Sequence, residues 1–315
     1  MTLQLLQSKL AELDGRRILA VLAALLISVG VLGTLLYRER AVLLQYDWRL
    51  RWEFVAGAQL LMLLCIMLAG LVWASIMHSL GSHVAFKLHM RYYAISYLAR
   101  RLPGTLWYVA GRGYMYRQQG ESVRLVTAAT GLELVVHVLG GSLTTLLCAA
   151  YALVTLQRSQ WIGLGLVVGL GLLATHPRAI NWLLVKIGRQ PAPNLSYLRV
   201  LSWLAGYVVL YVLGGLMFFW IGNAVMPIAL RHFPYVLGSW TLVGTLSVLV
   251  FFLPSNMGFT EVGLSLLLAN IIPSSFAVLI AVLSRLLMTL FEIVGAGIVV
   301  LLFRETKQGA ISYTD

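Results

Sequence analysis

Residues 54–77, FVAGAQLLMLLCIMLAGLVWASIM, form a run of 24 positions without one charged side chain. A helix of about 20 apolar residues crosses the hydrocarbon core of a bilayer, so this run predicts a transmembrane helix. The whole chain shares this character, because it is 60% hydrophobic and only 11% charged, against roughly 25% charged residues in average soluble chains. The sequence therefore predicts an all-α polytopic membrane protein and excludes a soluble enzyme.

Further apolar runs bring the expected number of transmembrane helices to about seven. The predicted helices span residues 18–37, 54–77, 125–156, 161–175, 198–221, 235–253 and 276–303. Residues 181–195 predict an amphipathic interfacial helix, and Trp48, Trp52 and Trp73 are expected to anchor helix ends at the interface. These elements use the whole length, so we expect a single transmembrane domain over 1–315.

The basic residues indicate the orientation and the partners of the chain. Its 23 Lys and Arg against 11 Asp and Glu give a net charge of +12, and they flank the apolar runs. Anionic lipid headgroups are the natural partner there, rather than nucleic acid. With the N-terminus inside, segments 1–17, 78–124 and 176–199 hold 14 Lys and Arg, against six in the opposite loops. The positive-inside rule therefore predicts a cytoplasmic N-terminus.

Two proline-broken segments resemble each other and suggest an internal repeat. Residues 102–112 and 253–263 each begin with Leu-Pro, continue with small or polar residues, and carry an ionisable side chain before a long helix. Paired interrupted segments of this kind point to the substrate site of a transporter. We expect two re-entrant segments within half-units of approximately 54–156 and 198–303. The alternative is two unrelated proline-capped loops. The structural breaks are Pro103, Gly104, Pro254 and Gly258.

Several ionisable residues interrupt the apolar runs. Such groups cost about 2.5 to 3.5 kcal/mol at the bilayer centre, so they are expected to face the bundle interior and to find partners. Charge compensation between the half-units would pair Glu133 with Arg285, or Arg112 with Glu261. These residues either line a polar pathway or form structural ion pairs that fix helix register. The candidate substrate-binding residues are Arg101, Arg112, Arg117, Glu133, His137, Glu261, Arg285 and Glu292.

The basic segment 78–124 interleaves arginines with tyrosines and tryptophan. Guanidinium groups bind phosphate bidentately, so Arg112 with Arg101 or Arg117 is a candidate phosphate-headgroup site. Positive-inside topology with an aromatic belt explains the same segment equally well. The sequence has neither a metal-binding spacing nor a P-loop, so we expect no metal, no cofactor and no hydrolysis of ATP.

The broken segments and the charged helices resemble the lysylphosphatidylglycerol synthase transmembrane-region family, also called flippase-like. The resemblance rests on Arg101-Leu-Pro-Gly104, Gly111-Arg112, Gly120 and Glu133 in the first half, and on Pro254, Gly258, Glu261, Ser284-Arg285 and Glu292 in the second. It covers residues 15 to 303 approximately. The chain departs from the family pattern at Ser255, Asn256 and Thr260, and these departures bear on the identity of the headgroup.

The resemblance implies a stand-alone, multi-pass protein of the prokaryotic inner membrane, without the aminoacyl transferase domain of its best-understood relatives. The function expected is a flippase or transporter of a phospholipid or a lipid-linked sugar, driven passively or by an ion gradient. His137 is the candidate for a coupling proton. The alternatives are a non-catalytic membrane scaffold for a glycolipid pathway and an intramembrane lipid-modifying enzyme. A homo-oligomer or a lipid-modifying partner enzyme fits the sequence too.

Overall fold

The computed structural model describes residues 30, 33–34, 37–38, 40–45, 49–99, 107–152, 158–186, 195–249 and 258–304. All regular elements in these ranges are helical, as predicted. The α-helices are α1 (Arg40–Gln45), α2 (Trp52–Ser79), α3 (Phe86–Ala99), α4 (Trp107–Arg117), α5 (Val123–Ala152), α6 (Arg158–Ala174), α7 (Pro177–Lys186), α8 (Tyr197–Val225), α9 (Phe233–Leu249), α10 (Phe259–Leu268) and α11 (Ser274–Leu302). A short 3-10 helix, Leu230–His232, precedes α9.

Four helices of the described residues are long and apolar enough to cross a membrane: α2, residues 123–148 of α5, α8 and α11. Helices of this length reach about 40 Å, which exceeds the hydrocarbon thickness of a bilayer. The chain is therefore that of a membrane protein. Helices α6 and α9 have 17 residues each, and the predicted helix 18–37 lies almost wholly outside the described residues. The count of about seven stays a prediction.

Two local predictions need correction. The amphipathic helix predicted over 181–195 overlaps α7, which begins earlier, at Pro177, and is described as far as Lys186. Proline suits the first turn of a helix because its missing N–H has no intrahelical acceptor there. Trp73 is completely buried in the bundle and is not an interface anchor, whereas Trp52 is 68% exposed. Trp48 lies outside the described residues.

The order of helix lengths is the same in two parts of the chain. The first unit, α2–α5, has helices of 28, 14, 11 and 30 residues. The second unit, α8–α11, has helices of 29, 17, 10 and 29 residues. Each unit thus consists of a long helix, two shorter helices and a second long helix.

Helix packing repeats in the same way as helix length. Helix α5 of the first unit packs on α9 and α8 of the second unit. The equivalent helix of the second unit, α11, packs on α3 and α2 of the first. Within each unit the first helix contacts the second and the fourth, and the third contacts its two neighbours in the chain. The long helices α2 and α8 pack on each other at the centre. The two units therefore make equivalent contacts.

The equivalent helices run in opposite directions. Gly57, near the start of α2, faces Trp220, near the end of α8, while Val72 of α2 faces Gly206. A hydrogen bond from Trp203 Nε1 to Ser75 Oγ, 2.9 Å long, continues this antiparallel pairing. The two units are therefore related by an approximate two-fold axis perpendicular to the long helices, which is the arrangement of an inverted repeat.

Two pairs of corresponding positions in the units are separated by the same number of residues. Gly57 and Gly206 are 149 positions apart, and so are Arg112 of α4 and Glu261 of α10. A Cβ at Gly57 would lie 2.4 to 2.7 Å from the Trp220 ring, and one at Gly206 would lie 2.7 Å from Val72. Glycine at both positions lets the central helices approach closely, as small residues do in membrane bundles.

Candidate functional site

Arg112 and Glu133 form an ion pair inside the first unit, between α4 and α5. Arg112 Nη1 donates to Glu133 Oε2 at 2.5 Å, and the two side chains are 0% and 3% exposed. Arg112 Nε donates a second hydrogen bond to Ser96 Oγ of α3 at 2.7 Å. Loss of either charge would leave the other buried without compensation, so the pair belongs to the framework of the unit as well as to its polar interior.

Aromatic rings surround the Arg112 guanidinium. Its Cζ lies 4.1 Å from the ring centroid of Trp73, 4.8 Å from that of Tyr93 and 5.5 Å from that of Tyr108. Such cation–π contacts stabilise a desolvated charge. Among the described residues, Arg112 Nη2 is a buried donor without a hydrogen-bond partner. A ligand oxygen could therefore accept from Nη2 without displacing an existing bond.

Tyr207 of α8 links this ion pair to the second unit. Its hydroxyl donates to Glu133 Oε1 at 3.0 Å. Its position is fixed by Gly140 of α5, where an added Cβ would lie 2.7 Å from Tyr207 Cβ and 3.2 Å from its carbonyl carbon. The absence of a side chain at Gly140 thus lets α8 approach α5 closely.

A second hydrogen-bonded group lies behind Trp73. The indole Nε1 of Trp73 donates to Tyr116 Oη at 2.8 Å, and His89 Nδ1 lies 2.5 Å from the same oxygen. The Tyr116 oxygen thus accepts from the indole and also contacts His89 Nδ1, which donates or accepts in that bond according to the histidine tautomer. Burial lowers the pKa of His89 to about 4, although the nearby Glu121 carboxylate opposes the shift. Burial also raises the pKa of Tyr116.

The second unit holds an ion pair at the corresponding place, between α10 and α11. Glu261 Oε1 lies 3.4 Å from Arg285 Nε, and the side chains are 4% and 23% exposed. Glu261 Oε2 accepts from the backbone N–H of Gly258 at 2.9 Å, so the same carboxylate caps α10. Gly258 has a φ of +85°, which side chains with a Cβ rarely adopt. Gly258 thus shapes the backbone that presents Glu261.

A cavity of about 340 Å³ lies between the two units, with walls from both. Its volume is in the range of small-molecule sites. One wall is polar and comes from the second unit, with Glu261 and Thr260 of α10 and with Ser284, Arg285 and Glu292 of α11. Arg285 and Glu292 are seven residues apart, so they lie on one face of α11.

A second part of the cavity lining is aromatic. It includes Tyr97 of α3, Tyr211 of α8 and Trp240 of α9. His137 of α5 joins this wall, with its ring centroid 5.0 Å from that of Tyr207 and 5.3 Å from that of Tyr211. Glu133 and His137 are one turn apart on α5, but of the two only His137 lines the cavity.

The ion pairs differ from those predicted. The sequence suggested Glu133 with Arg285, or Arg112 with Glu261, across the two half-units. The structure pairs Arg112 with Glu133 and Glu261 with Arg285, each within one unit. The reason is local connectivity, because the short third helix of each unit packs on the long helix that follows it.

Other predicted residues lie apart from the site or outside the described residues. Arg117 is exposed in the last turn of α4, five residues after Arg112 and on another face. Gly120 has a φ of +81° in the turn between α4 and α5. The remaining predicted residues outside the described ranges are Arg101, Pro103, Gly104 and Pro254. Whether the two broken segments are re-entrant stays a prediction.

Four residues that surround the Arg112–Glu133 pair or line the cavity were not among the predicted site residues, namely Tyr93, Ser96, Tyr207 and Tyr211. The available signal was Tyr207 and Tyr211, four residues apart and therefore on one face of an apolar helix. Buried hydroxyls need hydrogen-bond partners, so this spacing could have indicated a polar neighbour. It could not have identified Glu133, which is 74 positions away in the chain.

Within the ranges that the structure describes, His, Cys, Asp and Glu form no group of three or more that could hold a metal ion. No protein-family model matches the chain, and no curated protein matches it. The resemblance to the flippase-like family therefore remains a prediction that rests on short motifs.

Proposed function

We propose that the protein is a lipid transporter of the prokaryotic inner membrane. It moves the headgroup of a phospholipid or lipid-linked glycolipid across the bilayer through the cavity between the two units. The observation that supports this proposal is a cavity with an ion pair in its wall, inside an inverted repeat of membrane-spanning length. Ionisable groups at such positions mark substrate pathways in membrane proteins.

The charges of the cavity wall favour particular headgroups. The described charged residues that line the cavity are the cation Arg285 and the carboxylates Glu261 and Glu292. Among the described residues, Arg285 is the arginine that lines the cavity, so in this proposal it binds the phosphate in place of Arg112 or Arg117. Arg101 lies outside the described residues. The carboxylates accept hydrogen bonds from an amine or from sugar hydroxyls. A headgroup that combines phosphate with such donors fits better than a bare anion.

The aromatic wall supports the same ligand class. Tyr97, Tyr211 and Trp240 offer ring faces and polar tips, which suit an ammonium group or the apolar face of a sugar. His137 stands in that wall next to Tyr211. Histidine changes its charge closest to neutral pH, so His137 is the candidate acceptor for a coupling proton.

The test is transbilayer exchange in vesicles that contain the purified full chain. Fluorescent phosphatidylethanolamine, phosphatidylcholine, phosphatidylglycerol and a lipid-linked sugar are reconstituted in turn, and dithionite quenches the outer leaflet. We expect accelerated exchange of at least one lipid, and a loss of at least tenfold in rate in Glu261→Gln, because a charged hydrogen-bonded pair contributes about 1.5–3 kcal/mol.

Glu53→Gln is the matched control, because Glu53 is an exposed carboxylate that pairs with the exposed Arg51. It should exchange lipid at the wild-type rate. Exchange no faster than in empty vesicles, with and without an imposed pH gradient, would overturn the proposal and favour the scaffold. A covalent change in the recovered lipid would favour the lipid-modifying enzyme.

A further inference from the structure

The two ion pairs occupy equivalent places but differ in access. Each joins the short third helix of a unit to the long fourth helix, and 149 positions separate Arg112 from Glu261. The Arg112 side chain is 0% exposed, whereas the Arg285 side chain is 23% exposed. The two pairs therefore have equivalent positions in the topology, but only the Glu261–Arg285 pair lines the cavity.

Two tyrosines separate the excluded pair from the cavity. Tyr93 and Tyr207 both line the cavity, while Arg112 and Glu133 do not. On their other side, Tyr93 lies against the Arg112 guanidinium and Tyr207 donates to Glu133. A single layer of aromatic rings thus covers the pair, and rotation of these rings would extend the cavity to it.

We propose that Arg112 and Glu133 form a second binding site for a phosphate group, which opens to the opposite side of the membrane from the present cavity. The proposal rests on the lipid-transport function. In an inverted repeat, each unit can adopt the conformation that the other unit has now. The cavity then opens to the other side of the membrane. In the exchanged state Tyr93 and Tyr207 uncover the Arg112 pair, and the Glu261–Arg285 pair is covered.

The site around Arg112 already has the chemistry for an anion. Its Nη2 is a buried donor without a partner among the described residues, and Nη1 is held by Glu133 Oε2. A phosphate oxygen placed at Nη2 would accept a hydrogen bond from it, so that all three nitrogens of the guanidinium would then have an acceptor. Glu133 keeps the pair neutral while the site is empty, and the rings of Trp73 and Tyr108 stay in place behind it.

The experiment compares reactivity of two engineered cysteines from the two sides of the membrane. The natural cysteines, Cys65 and Cys148, are first replaced by alanine. Ser284→Cys then reports on the cavity wall, and Ser96→Cys reports on the Arg112 site, because Ser96 Oγ accepts from Arg112 Nε. Right-side-out and inside-out vesicles of cells that express the full chain are treated with a membrane-impermeant methanethiosulfonate. Tyr108→Cys is the second reporter if Ser96→Cys prevents folding.

We expect Ser284→Cys to react from one side and Ser96→Cys from the other. Tyr207→Phe removes the hydrogen bond to Glu133 and should accelerate labelling of Ser96→Cys by roughly tenfold. Tyr235→Phe is the matched control, because the Tyr235 hydroxyl donates to the carbonyl oxygen of Leu267 at 3.0 Å and Tyr235 does not line the cavity. Inorganic phosphate should slow labelling of Ser96→Cys, by about twofold at a concentration equal to its Kd.

Reaction of both cysteines from the same side would overturn the proposal, as would an unreactive Ser96→Cys on both sides even with Tyr207→Phe. Labelling that phosphate does not slow would overturn the assignment of the site to an anion. These outcomes are separate from the lipid test. Accelerated lipid exchange with a permanently covered Arg112 would support transport and reject the second site. Labelling from opposite sides without lipid exchange would do the reverse.

Discussion

The pair Arg112–Glu133 and the pair Glu261–Arg285 show how one topology gives two different environments. In the first pair, aromatic rings and Tyr207 surround the charges, and water has no access. In the second pair, Glu261 caps a helix while Arg285 reaches the cavity. In this conformation the covered pair is therefore expected to contribute mainly to stability, and the accessible pair mainly to ligand binding. The following predictions test that division.

The largest difference is expected between Arg112→Met and Arg285→Met. Arg112→Met leaves the Glu133 carboxylate buried without its cation, which should destabilise the protein by about 3–5 kcal/mol. Arg285→Met should cost about 1 kcal/mol or less, because the cavity admits water and the Gly258 N–H still binds Glu261. The thermal unfolding midpoint of the detergent-purified chain measures both.

The double variant Arg112→Met/Glu133→Leu is the control for the first prediction. It removes both buried charges and should recover most of the lost stability. Equal midpoints for Arg112→Met and Arg285→Met would mean that the two pairs do not differ in environment.

Gly140→Ala tests the contact that holds Tyr207 over the covered pair. The added Cβ would lie 2.7 Å from Tyr207 Cβ, so α5 and α8 must separate at a cost of about 1–3 kcal/mol. Gly131→Ala is the matched control in the same helix, because a Cβ there meets nothing within 4 Å. It should be neutral or slightly stabilising, so a similar loss in both variants would contradict the close approach.

Gly258→Ala tests the backbone that presents Glu261. Alanine in the left-handed region costs about 1–2 kcal/mol, and relaxation of the turn would weaken the bond from the Gly258 N–H to Glu261. We expect a small drop in the unfolding midpoint together with slower lipid exchange. Gly297→Ala is the control, since a Cβ at Gly297 of α11 meets nothing within 4 Å. Unchanged stability and exchange in Gly258→Ala would show that this turn does not constrain Glu261.

The smallest expected effect is the pH dependence of stability that arises from His89, which contacts Tyr116 next to Trp73. The pKa of His89 is lowered from 6.5 to about 4, so the unfolded chain takes up the proton before the folded one does. The contribution of His89 to stability is therefore complete above about pH 6.5 and lost as the pH falls towards 4, with about 1 kcal/mol gone at pH 6. Unfolding midpoints between pH 7.5 and 6 measure this slope.

His89→Gln should flatten that pH dependence, because glutamine has no proton to gain. His83→Gln should leave it unchanged, since His83 is exposed at the surface. A slope that persists in His89→Gln would assign the pH dependence to another group.

The sequence was sufficient to predict an all-helical membrane protein and several of its buried ionisable residues. Uninterrupted apolar runs such as 54–77 predicted the helices, because lipid permits only hydrogen-bonded backbone to cross it. Buried ionisable residues, Arg112, Glu133 and Glu261 among them, stood out because their insertion is costly and they need partners. The similarity of the two proline-broken segments indicated a repeat, whose direction the sequence left open.

Only the tertiary structure decided how those residues combine. The pairing of Arg112 with Glu133 depends on the packing of α4 against α5, and the closure over them depends on Tyr207, which is 74 positions from Glu133 in the chain. Hydropathy reports the cost of placing a residue in lipid, but it has no information on which helices cross or in which direction they run. Those follow from close approaches such as Gly57 with Trp220 and Gly140 with Tyr207, where the absence of a Cβ lets two helices meet.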